Sequence, residues 1–220
     1  MEKSFVVTVD GPAGAGKSTI AKKFVEEFGF VHLDSGAVYR TIGILCKEKG
    51  VNPEDESSVV RLLESVEIEV KSEGVFVNGE NYEGKIRTLE GGRLASVVAK
   101  HPKVRERVVK ILRKSAVGKR VVVDGRDAGT NIFPDAQVKI FLTASSEERA
   151  RRRYRELKNR GEKVSYEEVL EEVKKRDRED TNRKVAPLRI PEGAVKIDTS
   201  EKSIEQVWEE VKNLVKLRLK

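Results

Sequence analysis

Gly11-Pro12-Ala13-Gly14-Ala15-Gly16-Lys17-Ser18-Thr19 sits directly between a β-branched run and an amphipathic stretch. No other feature narrows the possible folds of this chain so far. Phe5-Val6-Val7-Thr8-Val9-Asp10 precedes it as a short strand. Ile20, Ala21, Phe24, Val25 and Phe28 follow at helical spacing. The pattern G-x-x-x-x-G-K-[ST] has meaning in that strand-to-helix setting, where glycines let backbone N–H groups turn inward around phosphate oxygens. The helix N-terminus adds its positive dipole end. Lys17 would reach β- and γ-phosphates, and the Ser18 hydroxyl would meet Mg²⁺. A glycine turn with a chance Gly-Lys-Ser would not come with both flanks.

At 220 residues the chain can bury a sizeable core, and one α/β domain with insertions is the expected count. Hydrophobic residues make up 38% and charged residues 37%, and no apolar run approaches the ~20 residues that span a bilayer. The first residues enter a strand at once, an arrangement that leaves no room for a signal peptide. A lone cysteine, Cys46, forms no internal disulfide; it suits a reducing cytoplasm and reads as a small core residue. The net charge of +7 suits either nucleic acid or a pocket for polyanionic small molecules. Aromatics at 5% leave few stacking platforms, and no zinc-finger, RRM or KH signature is present. The Lys-, Arg- and Glu-rich usage resembles that of thermophile proteins.

Beyond the glycine loop, the pattern predicts a strand over 30–33 and a helix from Asp34-Ser35-Gly36 to about Lys49. A short polar helix is expected over 54–63. Val66-Glu67-Ile68-Glu69-Val70-Lys71 then alternates strictly, Gly74 turns, and Asn78-Gly79 is a strong hairpin signal. Residues 66 to about 87 therefore read as a small antiparallel meander inserted into an otherwise alternating chain. Helices are predicted over 88–98, 102–116, 145–160, 165–181 and 203–218, with strands over 120–124, 137–142 and 194–197. Strands alternating with helices imply a parallel sheet covered on both faces.

Four further segments carry chemistry-bearing residues. Asp34-Ser35-Gly36-Ala37-Val38-Tyr39-Arg40 follows a strand carboxyl end, where open α/β sheets place ligands, although Tyr39 also suits packing and Arg40 a solvated helix face. Asp124 ends an apolar strand, where an aspartate would hold Mg²⁺; Arg126 and Asp127 beside it also fit a structural ion-pair turn. Arg149, Arg151, Arg152, Arg153, Arg155 and Arg160 crowd one helix and cannot share one face, so some are solvated. As a group they suit a flap that closes over phosphates, which Arg forks match bidentately. Arg176 to Arg183 packs charges at a helix end, with Asp180 and Arg183 three apart, and an i,i+3 ion pair is the plainest reading.

Taken together, GPAGAGKST, LDSGAVYR, DGRDAGTNIFPDA, RDREDTNR followed by VAPL, and the late IDTS resemble the bacterial cytidylate kinase family. They occur in that order, with the meander between the second and third, and cover nearly the whole chain. Ser18 departs from members with Gly-Thr after the lysine but keeps a hydroxyl on the Mg²⁺ side. Asn131-Ile132 departs within the DGRD segment, where no effect on chemistry is expected.

The resemblance implies a P-loop three-layer α/β/α fold with a central parallel sheet, a small antiparallel β insert and a helical lid. It divides a single domain, 1–220, into a core (1–37, 88–147 and 185–220), a nucleoside-monophosphate-binding region (38–87) and a lid (148–163). The implied activity is transfer of the γ-phosphoryl group of ATP to CMP or dCMP, in a cytoplasmic monomer that binds neither nucleic acid nor membrane. Gly11, Pro12, Ala13, Gly14, Ala15, Gly16, Lys17, Ser18 and Thr19 become the ATP ligands. Lys17, Arg126 and Arg183 take the catalytic roles. Ser35, Arg40, Ser96, Arg105, Arg126, Asp127, Arg176, Asp180 and Arg183 become the CMP ligands. Ser96 and Asp127 would face the cytosine amino group and Arg105 the ring; Arg40, Arg126 and Arg183 would face the phosphate, and Arg176 and Asp180 the ribose. Ser18 would meet Mg²⁺, with Asp124 acting through water. The acceptor oxygen is ionised at neutral pH, so no general base is needed, and His32 and His101 show no evident partner. The competing readings are a kinase for UMP or AMP, and a GTPase or nucleic-acid-binding ATPase with a P-loop. An N-K-x-D motif, which a GTPase should carry, is not found.

Overall fold

The computed structural model describes residues 4–216. In chain order β1 (Phe5–Asp10), α1 (Lys17–Phe28), β2 (Val31–Asp34), α2 (Ser35–Glu48) and α3 (Glu56–Glu64) open the chain. The insert follows as β3 (Ile68–Lys71), β4 (Gly74–Val77), β5 (Glu80–Asn81) and the short α4 (Glu83–Ile86). Then come α5 (Leu89–Val98), α6 (Pro102–Ala116) and β6 (Arg120–Gly125), a π-helical turn (Ala128–Ile132), and β7 (Val138–Thr143). The chain continues through α7 (Ser146–Asn159), α8 (Tyr166–Asn182), β8 (Val195–Asp198) and α9 (Ile204–Lys216). The expected end of the last helix at residue 218 lies outside the described residues. The meander ends sooner than its pattern suggests, because 83–86 close into a helical turn.

The central sheet has five strands in the order β2-β6-β1-β7-β8, and every pairing is parallel. Valines and isoleucines of β1, β6 and β7 are buried on both faces, as a sheet covered on both sides requires. The pairing β1–β6 sets Asp10 opposite Gly125, so the glycine loop after β1 and the segment after β6 leave the sheet side by side. Ligands of open α/β sheets bind at that carboxyl edge.

Helices cover the two faces differently. On one face, Ile20, Ala21 and Phe24 of α1 pack with Val207, Trp208 and Val211 of α9 against Val7, Val9 and Ile140. On the other, α2, α3, α5 and α6 share one apolar cluster with β2 and β6. Val70, Val75 and Val77 of the insert belong to that same cluster, and Tyr82 Oη donates to Glu48 Oε2 of α2 at 2.7 Å. The small sheet, β3-β4-β5, thus packs on the helical face that covers the central sheet. Its Asn78-Gly79 turn has positive φ at both residues (47° and 83°), as a two-residue hairpin loop prefers. Helices α7 and α8 form a third, smaller cluster of Ala150, Leu157, Val169 and Val173. Cys46 is buried in the core of α2, as expected of a packing residue.

Candidate active site

The loop after β1 is shaped by its glycines. A Cβ on Gly11 would stand 2.1 Å from the Leu142 carbonyl oxygen, and one on Gly14 2.9 Å from the Arg149 carbonyl oxygen. Both residues also have positive φ (146° and 78°), so the loop needs glycine for space and for conformation. Lys17 opens α1 and is buried, its Nζ donating to the Pro12 carbonyl at 2.7 Å. Burial pushes the Lys17 ammonium well below its ordinary pKa, and the nearby Arg126 and Arg176 charges push the same way. Such a cation gains most from an anionic partner.

Asp124, near the end of β6, is where the sheet delivers a carboxylate beside the loop. Ser18 Oγ donates to Asp124 Oδ2 at 2.6 Å, and Ser35 Oγ donates to the Asp124 main-chain carbonyl at 2.8 Å. His32 Nε2 lies 3.1 Å from Asp124 Oδ1. Burial alone would lower the His32 pKa, but the Asp124 carboxylate more than offsets it and raises it. His32 is therefore partnered, contrary to expectation, and His101 is too, its Nε2 2.8 Å from the Pro53 carbonyl oxygen. Parallel pairing sets His32 opposite Val122, so its ring reaches Asp124 diagonally, two residues along β6 on the same face, a register that residue types alone did not specify. The Ser18 hydroxyl and the Asp124 carboxylate are hard oxygen donors side by side. That set suits Mg²⁺, which takes few protein ligands and completes its shell with water and phosphate.

Opposite this pair lies a second charged group drawn from three elements. Arg126, just after β6, donates from Nε to Asp180 Oδ2 of α8 at 2.8 Å. Arg176 and Arg183 approach the same carboxylate at 4.0 and 3.9 Å. Burial disfavours the charge on Arg126, yet Asp180 more than restores it, so its pKa rises. Burial lowers the Arg176 pKa to about 9, with Arg126 adding repulsion, and lowers that of Arg183 as well, with Arg105 adding to it. Arg40 is depressed by burial too, more than the nearby Asp34 restores. Lys17, Arg126, Arg176 and Arg183 thus gather around Asp180 and Asp124, with Arg40 nearby beside Asp34; Lys17 is buried and the guanidinium groups are partly buried, so positive charge is in surplus there.

Asp127 anchors a third group. Arg105 Nη2 of α6 donates to Asp127 Oδ2 at 2.5 Å, and both side chains are buried. Arg105 also donates to the Ala99 carbonyl at 3.2 Å and lies 5.3 Å from the centre of the Tyr39 ring. Asn131 Nδ2 donates to Asp127 Oδ2 at 3.0 Å, and Arg183 Nη2 stands 3.8 Å from Oδ1. Asn131 was expected to lie outside the chemistry. The π-helical turn folds it back onto Asp127, four residues away, and no residue pattern announces that turn. Ser96 is not joined to Asp127 by a hydrogen bond; its Oγ donates to Gly92 O within α5 at 3.3 Å.

The arginines of α7 divide. Arg149 is buried, donating to the Ala13 carbonyl at 3.1 Å and bidentately to Asp177 of α8. It is a strut between α7, α8 and the glycine loop rather than a solvated charge. Arg152 donates to the Thr199 carbonyl at 2.6 Å, and Arg151, Arg153 and Arg160 pair with glutamates of their own helix. Arg160 also donates to the Arg87 carbonyl at 2.6 Å, joining α7 to the end of the insert. A cavity of about 220 Å³ opens beside the glycine loop, lined by Ala15, Thr19, Arg152, Thr199, Lys202 and Val207 among others.

A protein-family model described as cytidylate kinase matches residues 7–217. A cytidylate kinase of Caldanaerobacter subterraneus subsp. tengcongensis is 50% identical, over 97% of this chain and 96% of its own. Those of Thermotoga neapolitana and Bacillus velezensis are 46% and 45% identical over 98% of this chain, covering 99% and 98% of their own lengths. Among solved structures, an uncharacterized protein from Eubacterium ventriosum shares the fold at a TM-score of 0.52, with 12% identity, 96% of this chain and 98% of that one covered.

Proposed function

The chain belongs to the cytidylate kinase family, ATP-dependent enzymes that phosphorylate CMP, and from that premise we propose how its residues divide the work. Gly11 to Thr19 hold the triphosphate of ATP, with backbone amides around the phosphates and Lys17 on the β- and γ-oxygens. Lys17, Arg126 and Arg183 neutralise charge on the transferring phosphoryl group. The acceptor is a phosphate oxygen already ionised, so catalysis is positioning and charge neutralisation, and no side chain must take a proton. Ser18 and Asp124 would hold Mg²⁺, which when bound supplies further neutralisation of the phosphate charge. Arg40, Arg126 and Arg183 take the CMP phosphate with Ser35 in the same pocket, and Arg176 and Asp180 take the ribose. Because a carboxylate can accept a sugar hydroxyl without requiring the 2′-OH, dCMP is also a substrate.

Cytosine offers an N4 amino donor beside an N3 acceptor. Arg105 and Asp127, 2.5 Å apart, offer a donor beside an acceptor, the complementary pair. Uracil reverses both signs, setting O4 against the carboxylate, so UMP is rejected through unpaired polar groups. Ser96 joins the amino group by turning its hydroxyl away from Gly92. Residues 38–87 and 148–163 close over the acceptor and the phosphates, shutting out the water that would hydrolyse ATP. The enzyme works as a cytoplasmic monomer without nucleic acid. Among the described residues no helix is long and apolar enough to cross a membrane.

The observation that carries this reading is the surplus of partly buried guanidinium groups around Asp180, with the buried Lys17, beside a matched Arg105–Asp127 pair. A coupled assay with ATP against CMP, dCMP, UMP and AMP tests it. The expected order places CMP and dCMP well ahead, and equal rates for UMP or AMP would overturn the assignment.

A further inference from the structure

Asp10 has no role in the division of work above. It ends β1, one residue before Gly11, and its side chain is wholly buried. Oδ1 accepts a hydrogen bond from the Ala128 amide at 2.7 Å, and Oδ2 accepts one from the Gly129 amide at 2.7 Å. These two amides open the π-helical turn, and the residue before them is Asp127. The turn has no slack on that side: a Cβ on Gly129 would stand 2.8 Å from Thr8 Oγ1, 2.9 Å from Pro191 Cγ and 3.1 Å from Asp10 Oδ2. Burial pushes the Asp10 carboxyl up to about 7, against the opposing pull of the two amides. A buried carboxyl is an expensive way to end a strand whose ladder is already complete. Its two bonds fix the backbone immediately after Asp127, and so the stance of that carboxylate toward Arg105.

We propose that Asp10 is a positioning residue for acceptor choice: by holding the amides of Ala128 and Gly129 it sets Asp127 against the cytosine edge and ties the ATP-binding strand to the base-reading turn. The inference rests on the assignment of Asp127 to the cytosine amino group.

Asp10→Asn tests it, since the new NH₂ faces an N–H donor and one of the two bonds is lost. KM for CMP should rise roughly tenfold and the preference for CMP over UMP should fall by a similar factor, with KM for ATP within about twofold. Thr8→Val removes a neighbouring buried hydroxyl, which has no partner among the described residues, and should leave the preference as it was. Equal loosening by Thr8→Val, or an unchanged preference in Asp10→Asn beside a relaxed one in Asp127→Ala, overturns the role of Asp10 and leaves the base-reading assignment standing. An unchanged preference in Asp127→Ala removes the assignment itself, and the inference with it. Where Asp10→Asn does not fold, Gly129→Ala displaces the same turn with the carboxyl intact; a retained preference there overturns the inference.

Discussion

The two halves of the proposed site are made of different material. The proposed ATP half is main chain: two glycines, Gly11 and Gly14, that leave no room for a Cβ, amides at the start of α1, and one lysine folded over the loop. The proposed CMP half is side chain: carboxylates and guanidinium groups from α6, α8 and the segments after β6 and α8, held to one another by ion pairs, with Arg40 of α2 beside them. Main-chain sites recognise what every nucleoside triphosphate shares, whereas side-chain sites can be altered one residue at a time. A P-loop scaffold can therefore keep its donor and change its acceptor.

Substitutions can break this contrast, and the largest effect belongs to the ATP half. Lys17→Ala should cut turnover by roughly 10³-fold or more if Lys17, buried at the start of α1, neutralises charge on the transferring phosphoryl as proposed. CMP binding, followed by calorimetry, should remain detectable; its disappearance would mean that the halves are not separate. Gly14→Ala should lower kcat/KM for ATP by about 10²-fold, since a displaced loop misplaces every amide at once. KM for CMP in that variant should change far less. Asn131→Ala removes one of the donors to Asp127 and should raise KM for CMP about fivefold with ATP unaffected, a cost of about 1 kcal/mol that is in the range of one ordinary hydrogen bond.

The smallest effect concerns stability. Asp34 caps α2 and pairs with Arg87 at 2.7 Å; burial opposes its charge, but Arg87 and Arg40 hold its carboxyl well below the ordinary 3.8. A carboxylate with a depressed folded-state pKa stabilises above its unfolded value, and that stabilisation is lost as the pH falls below about 3.8. Asp34→Asn should therefore flatten the acid side of a Tm-against-pH curve and lower Tm at neutral pH by a few degrees.

How much of this was legible beforehand follows the same division. The glycine loop, its flanking strand and helix, the meander and its Asn78-Gly79 turn all obey local rules, so periodicity and glycine spacing revealed them. The parallel α/β architecture followed from the alternation of elements. His32 was not legible as a partner of Asp124, because the two meet through strand order, with β2 beside β6, across about ninety residues. The hydrogen bond of Asn131 to Asp127 was not legible, because it depends on a π-helical turn that no propensity foretells. Arg149 looked like any other arginine of a charged helix, and its burial arises only once α8 brings Asp177 across. Asp180 read as half of a weak i,i+3 pair, although its closer partner, Arg126, comes from the segment just after β6. The expected CMP ligands came from family resemblance, whereas the contacts that orient these residues are tertiary.

Separate recognition of the two substrates is tested most directly by titrating Asp127→Ala with ATP and with CMP in a calorimeter. ATP affinity should stay within about threefold of the unaltered protein, while CMP affinity falls by roughly 10²-fold as Arg105 loses its partner and the amino group its acceptor. Equal losses for both nucleotides would contradict the division of the site into a main-chain half for ATP and a side-chain half for CMP.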